Sequence, residues 1–442
     1  MPLLRRDMRH YSHILSYLHT WIRGAVLTRT VVVVGAGLAG GTAALTLRSK
    51  GFDGRVILVG DEKHPPYSRP PLSKQLIRGE FDIPRTHLRP AALWEKREVE
   101  FVLGRAVTEV DVAAHRVVLS DGEPIGYDAL LLATGGRARV LPEQRPVDGV
   151  HVLRTIDDAL AIREHVGPGK RLLLVGAGFV GAELAASAAT LGTQVTALEA
   201  TGVPLGRGLP AALGEIYGRM HAAHGVDIRV NSTVSEVVPG SGGVVTRLSD
   251  GAVFESDAVV VAIGLLPDLT LATAAGLAVD NGILVDEYCR TSGPDVFAAG
   301  DIANHPNPIL AQRVRVEHWQ NAQHQSAIAA HNIAATDSAD HEMFAEVPWV
   351  WSDQYDINLQ VTGRPLPTDE VVFRGDPESA EFSAMLLRDG VLMAAVGVNC
   401  ADDVRVARAA IGLGLRPDRC ALADTSTDLR ELLHPDRKAS HV

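Results

Sequence analysis

Four consecutive valines at positions 31–34 run straight into Gly35, Gly37 and Gly40, and this junction limits the possible fold more than any other stretch of the chain. So short and β-branched a run does not build a helix. It reads as a strand buried on both faces of a parallel sheet. Gly35 permits the tight turn that must follow, Gly37 lets the backbone with Ala36 approach a pyrophosphate, and Gly40 lets the next helix pack on the strand. A helix is predicted over 38–50, beginning with Leu38 and Ala39, with Gly51 as its C-cap. The unpaired N–H groups and positive dipole end at its start would face the phosphates. A second strand over 55–59 then delivers Asp61 and Glu62 at the spacing where an acid can hold an adenosine ribose.

A lone GxGxxG turn is weak evidence, but here the pattern recurs. Residues 171–175 form a second apolar strand, the turn repeats as Gly176, Gly178 and Gly181 around Phe179 and Val180, and a strand over 194–198 leads to Glu199. Two copies, each with strand, helix and acid in order, imply an α/β chain that holds two dinucleotides.

At 442 residues the chain is too long for one core, so two or three domains are expected. A formal charge of −11 argues against nucleic acid as the main partner. Cys289, Cys400 and Cys420 lie far apart and form no CxxC pair, so no zinc or redox-disulfide motif is visible and a reducing, cytoplasmic setting is expected. No apolar run is long enough to cross a bilayer. Residues 1–27 carry Leu4, Met8, Tyr11, Leu15, Leu18 and Ile22 at helical spacing among four arginines, without a secretory h-region. They read as an over-long translation start, with an amphipathic targeting or membrane-surface helix as the alternative.

Along the chain, the proline-rich stretch 64–73 reads as an extended, rigid, non-helical loop ending at Lys74, with a short helical piece after it. Basic residues are dense from Arg69 to Arg105, and two readings stand: a solvated face, or a docking surface for an acidic protein. Residues 99–110 and 115–119 read as strands, and an apolar strand over 127–133 runs through Ala133 into Thr134 and Gly135, small residues suited to passing under a cofactor. Arg137 follows, placed to meet phosphate or flavin. The second nucleotide unit closes with an apolar strand ending near Gly264; a strand over 295–299 carries Gly300 and Asp301 at its C-terminal end, where α/β sheets bind ligands. Residues 316–335 read as a helix, and after residue 340 an antiparallel sheet with Trp349 and Trp351 is expected. His318 and His324 lack a third partner at metal spacing, so no metal is expected.

These pieces resemble the flavoprotein reductases of the glutathione-reductase fold, and within them the putidaredoxin, rubredoxin and dioxygenase-ferredoxin reductase group. The resemblance rests on RPPLSK (69–74), LLATGGRAR (131–139), TSGPDVFAAGD (291–301), VEHWQNA (316–322) and VPWVWSDQY (347–355), in that order. It implies FAD held by the first glycine turn, with contacts from Gly35, Gly37, Gly40, Asp61, Lys74, Val107, Arg137, Asp301 and Trp319, and Arg69, Gly300 and His318 beside them. It implies NADH at Gly176, Gly178, Gly181, Glu183 and Glu199. The implied layout is an FAD-binding domain over 28–137 and 265–338, an inserted NAD-binding domain over 138–264, and a reductase or interface domain over 339–442. Disulfide reductases of this fold carry a redox cysteine pair just after the first unit, and related peroxidases a single cysteine. Here that segment reads PLSK. The resemblance therefore implies that electrons leave the flavin singly for a separate carrier, an acidic 2Fe-2S ferredoxin or a rubredoxin serving a Rieske dioxygenase or haem monooxygenase. In this fold the counterparts of Lys74 and Glu183 meet near flavin N5, and Trp351 would lie at the flavin edge where the carrier docks. An NADH oxidase and an apoptosis-type NADH-sensing flavoprotein are the alternatives. The expected assembly is a monomer or homodimer.

Overall fold

The computed structural model describes residues 29–142 and 147–434. The extension over residues 1–27 lies outside them. The valine run forms the middle of a five-stranded parallel sheet, with strand order Val296–Ala298, Ala129–Leu132, Thr30–Val34, Arg55–Gly60 and Val99–Leu103. Val31, Val32 and Val33 are fully buried, as a strand covered on both faces requires. On one face the Leu38–Ser49 helix packs against the Trp319–Ala334 helix. Ala39, Ala43, Ala44, Ala329 and Ala330 share the core of this contact with Leu47 and Ile333, and the small alanines let the two backbones approach closely. The strand Val296–Ala298 pairs in parallel with Ala129–Leu132 although the whole second unit separates them in sequence. The second unit is thus inserted between adjacent strands of the first sheet.

The second sheet repeats the plan with Asp227–Arg229, Gln194–Leu198, Arg171–Val175, Ala258–Val261 and Val150–Val152, all parallel. The helix Phe179–Thr190 follows its glycine turn. The third sheet is antiparallel, in the order Trp349–Gln354, Ile357–Gly363, Val391–Val398, Phe382–Arg388 and Glu370–Gly375. One side of it is covered by the helix Ala401–Ala410, and on the other Leu359, Phe382 and Leu386 share a core with Leu213 and Tyr217 of the helix Ala211–Ala223.

Two local expectations need correction. The strand expected over 99–110 is broken at Gly104, whose φ of +72° turns the chain. Its first half completes the parallel sheet, while Val107–Asp111 pairs with Arg116–Leu119 in a separate antiparallel sheet. The proline-rich loop is not wholly extended either, because Pro70–Ser73 forms a 3-10 helix. Proline stands at its first positions, where no N–H is needed and a fixed φ suits the helix.

The glycines of the second turn have unequal roles. A Cβ on Gly181 would lie 2.0 Å from the Gly176 carbonyl oxygen, whereas one on Gly178 would meet nothing within 4 Å. Gly181→Ala should therefore destabilise the chain by at least about 2 kcal/mol, and Gly178→Ala should leave its thermal midpoint unchanged; calorimetry of the two variants checks this.

Candidate active site and its nucleotide cradles

The first cradle is built where the parallel strands end. A Cβ on Gly35 would sit 2.3 Å from the Ala133 carbonyl oxygen, and one on Gly40 would sit 1.9 Å from that of Gly35, so strand ends and helix start fit only as glycine. Above Gly37 the space is open, and no side chain caps the helix that begins at Leu38. Gly300 lies against Ala39 and donates its N–H to Gln325 Oε1 at 2.9 Å. Next to it, Asp301 accepts from Arg154 at 3.4 Å, and Arg154 also passes beside Gly135. Thr134 continues the half-buried turn, and Val107 is half-buried where its strand begins.

Asp61 is exposed just beyond the second strand and accepts from the Glu62 N–H at 3.0 Å. Glu62 accepts from the Tyr67 hydroxyl at 2.5 Å and from Arg69 at 2.8 Å. Arg69 in turn donates to the Arg154 carbonyl. Burial raises the Tyr67 phenol, so it stays a neutral donor. Arg137, with its side chain 73% exposed, pairs with Asp268 at 3.2 Å. A second cation stands at this turn, the partly buried Arg154 beside Asp301, which sequence reasoning missed. Burial, and after it the charge of Arg69, pulls the Arg154 pKa down against Asp301.

His318 stands at the N-cap position of the long helix without a capping hydrogen bond and is held neutral, its pKa pulled down to about 4 by burial in spite of Asp301. The neighbouring Trp319 donates to Ser68 at 3.2 Å and meets Trp351 edge to face at 5.7 Å, and Trp351 stacks on Trp349 at 5.2 Å. Among the described residues no cluster could hold a metal ion.

In the second cradle Gly176 makes the turn at a φ of +104°, and Phe179 packs toward the C-terminal sheet while Val180 is 44% exposed. Glu199 is buried at the strand end, accepting from the N–H groups of Ala177 and Thr201 at 3.0 and 2.9 Å. Gly264, at a φ of +110°, carries the chain back toward the first unit, where its carbonyl accepts from the Arg139 N–H.

Between the cradles stands a buried ion pair. Lys74 Nζ lies 2.6 Å from Glu183 Oε2, with the two side chains 4% and 8% exposed. Ser73 donates to the same carboxylate at 2.5 Å, and Ser352 donates to its other oxygen at 2.7 Å. Two other segments of the chain therefore converge on the carboxylate that the second unit's helix presents. A buried pair is stable only when its remaining lone pairs are satisfied in this way.

The residues present fit two dinucleotides. Both turns leave open ground over an uncapped helix start, at Gly37 and at Gly178. Beside the first turn, Arg154 Nε, His318 Nδ1 and Gln325 Nε2 are buried without a partner in the described chain. Buried polar atoms of this kind call for a ligand or water.

Removing one member of the pair leaves a buried charge, so Lys74→Ala should cost about 3–5 kcal/mol. Denaturant titration should show Lys74→Met with Glu183→Leu regaining most of that loss.

Residues 29–326 match the model of the pyridine nucleotide-disulphide oxidoreductase family, and residues 349–433 match the reductase C-terminal family. The ferredoxin–NAD(+) reductase component of the anthranilate 1,2-dioxygenase system of Burkholderia cepacia is 39% identical over 91% of this chain and 98% of its own. Putidaredoxin reductase of Pseudomonas putida is 35% identical over 91% of this chain and 96% of its own. Among solved structures, the covalent putidaredoxin reductase–putidaredoxin complex aligns with a TM-score of 0.88 at 33% identity, covering 93% of this chain and 99% of that one. A ferredoxin reductase from Rhodopseudomonas palustris gives 0.86 at 33% identity, over 91% and 99%. With two thirds of its length in one family model and near-complete alignment to these relatives, the chain belongs to the pyridine nucleotide-disulphide oxidoreductase family and also carries a reductase C-terminal domain.

Proposed function

We propose that the chain is an FAD-dependent ferredoxin–NAD(+) reductase that takes a hydride from NADH and delivers electrons one at a time to a 2Fe-2S ferredoxin or rubredoxin. The recipient would feed a Rieske dioxygenase or haem monooxygenase. On this reading residues 28–137 and 265–338 hold FAD, 138–264 hold NAD, and 339–442 face the carrier. The observation that carries it is the junction itself: the segment after the first cradle presents Ser73 and Lys74 to Glu183, with no thiol. Cys289 lies elsewhere, fully buried in the core, where burial pushes its thiol up. Cys400 and Cys420 belong to the C-terminal segment. Three free cysteines fit a cytoplasmic setting, and no described helix is long and apolar enough to cross a membrane.

Bound FAD supplies the step from two electrons to one, accepting a hydride and releasing electrons singly. Everything else is done by the chain. Glu183 fixes the Lys74 ammonium where water is excluded, so its charge acts at low dielectric on negative charge developing beside it. Asp301 and Arg154 order the wall of the first cradle, and Trp319, Trp351 and Trp349 form a half-buried aromatic row.

The basic stretch supports docking less than the sequence suggests. Arg69 and Lys74 turn inward, Arg78 pairs with Glu80, and Arg105 pairs with Asp121 and Glu123. Arg85, Arg89, Lys96 and Arg97 remain exposed. Turnover with an acidic ferredoxin should fall as ionic strength rises through the range where the Debye length shrinks from about 30 to 10 Å. A flat salt profile would remove the electrostatic part of the docking.

Glu199 also sets an expectation for the donor. A 2'-phosphate beside its buried carboxylate would meet like-charge repulsion of several kcal/mol. Steady-state comparison should favour NADH over NADPH by about a hundredfold in kcat/KM or more, and parity would refute the role given to Glu199.

The reading as a whole is tested by mixing the flavin-loaded chain with NADH. Rapid NADH oxidation that needs an added 2Fe-2S ferredoxin is expected. Rapid oxygen consumption without a carrier would make it an oxidase instead, and slow turnover with every acceptor would point to a sensing protein.

A further inference from the structure

Behind Glu183 a row of polar side chains leads away from Lys74, and the cradles make no use of it. Ser352 Oγ donates to Glu183 Oε1 at 2.7 Å, and Gln354 Nε2 donates to Ser352 Oγ at 3.0 Å. Gln354 Oε1 lies 2.8 Å from His221 Nε2, and His221 Nδ1 lies 3.2 Å from the Tyr355 hydroxyl. Ser352, Gln354 and His221 are no more than 1% exposed. At the outer end the exposed His224 ring stacks on Tyr355 at 3.6 Å.

The donor and acceptor inventory gives this row a direction. A carboxylate only accepts, so the one Ser352 proton goes to Glu183, and Ser352 Oγ accepts from the Gln354 amide N–H. Gln354 then presents its carbonyl to His221, which must carry a proton on Nε2 and accept the Tyr355 proton on Nδ1. All four donors point toward Glu183. With the other imidazole tautomer the row would reverse. The Gln354 amide would flip, and its carbonyl would compete with Glu183 Oε1 for the one Ser352 proton. Tyr355 opens the two-residue turn between the paired Gln354 and Ile357, at a φ of +57°.

We propose that His221, acting through Gln354 and Ser352, is a positioning residue for hydride transfer: its tautomer aims the Ser352 hydroxyl at Glu183 and so holds Lys74 in place. The inference rests on the reading that places the Lys74–Glu183 pair beside the hydride path.

The test uses the full flavin-loaded chain with 15N-labelled histidine. At neutral pH the His221 resonances should report a neutral ring protonated on Nε2; a ring protonated on Nδ1, or on both nitrogens, would overturn the proposal. In rapid-reaction measurements His221→Phe and Ser352→Ala should each slow flavin reduction by NADH about tenfold, the loss expected for a hydrogen bond to a charged group. NADH affinity should be unchanged, and the double variant should be no slower than either single one, because both changes act through the same hydroxyl. His221→Gln, whose amide N–H reaches the Nε2 position, should restore the rate. Losses that multiply, a normal rate in His221→Phe, or a His221→Gln chain as slow as His221→Phe would each overturn it. If the Nε2 tautomer is found but Lys74→Ala does not slow flavin reduction, the failure belongs to the place given to the ion pair and not to the row behind it.

Discussion

The Lys74–Glu183 contact is the point through which the separate parts of this molecule are joined. Lys74 follows the first nucleotide unit, Glu183 stands in the first turns of the second unit's helix, and Ser352 belongs to the C-terminal sheet, yet all meet within hydrogen-bond distance. Burying two charges is unfavourable unless geometry and extra donors compensate. Here the compensation comes from Ser73 on one oxygen and Ser352 on the other. A shift of any one of the three segments would leave a charge or a hydroxyl unsatisfied, so the chemistry and the packing of the parts constrain each other.

Around that contact the same construction is used twice. Each unit ends a buried strand in a glycine turn, starts a helix without a capping side chain, and leaves open ground over the middle glycine. The strand Val296–Ala298 returns to the first sheet only after the second unit is complete, so Gly300 and Asp301 come to rest beside Ala39. A site assembled from positions that far apart in sequence depends on the sheet register, since a one-residue slip would reverse which side chains face it.

What the sequence made legible is what depends on neighbours in the chain. The two glycine turns, their strands and the third antiparallel sheet follow from β-branched runs, turn residues and spacing, and they stand where those signals put them. The failures are non-local. Arg154 sits just before a helix whose capping box, Thr155 with Asp158, explains the local sequence fully, and nothing nearby announces that its side chain reaches Asp301. Arg137 follows a turn of small residues, and only the fold shows that it pairs with Asp268. Asp61 and Glu62 are adjacent acids, and only the fold shows that Tyr67 and Arg69 bind Glu62. Ser352 and Gln354 stand in a recognisable motif, yet their part in holding Glu183 depends on where a helix from another segment is packed.

The central claim is that a pair of electrons enters this chain together and leaves it singly without ever resting on sulfur. The most direct measurement is an anaerobic titration of a Cys289→Ala, Cys400→Ser, Cys420→Ser chain, loaded with flavin, in the presence of excess 2Fe-2S ferredoxin. The account predicts two ferredoxins reduced for each NADH oxidised, at the rate of the unmodified chain. A thiol-free chain that takes up NADH electrons but no longer delivers them would contradict it.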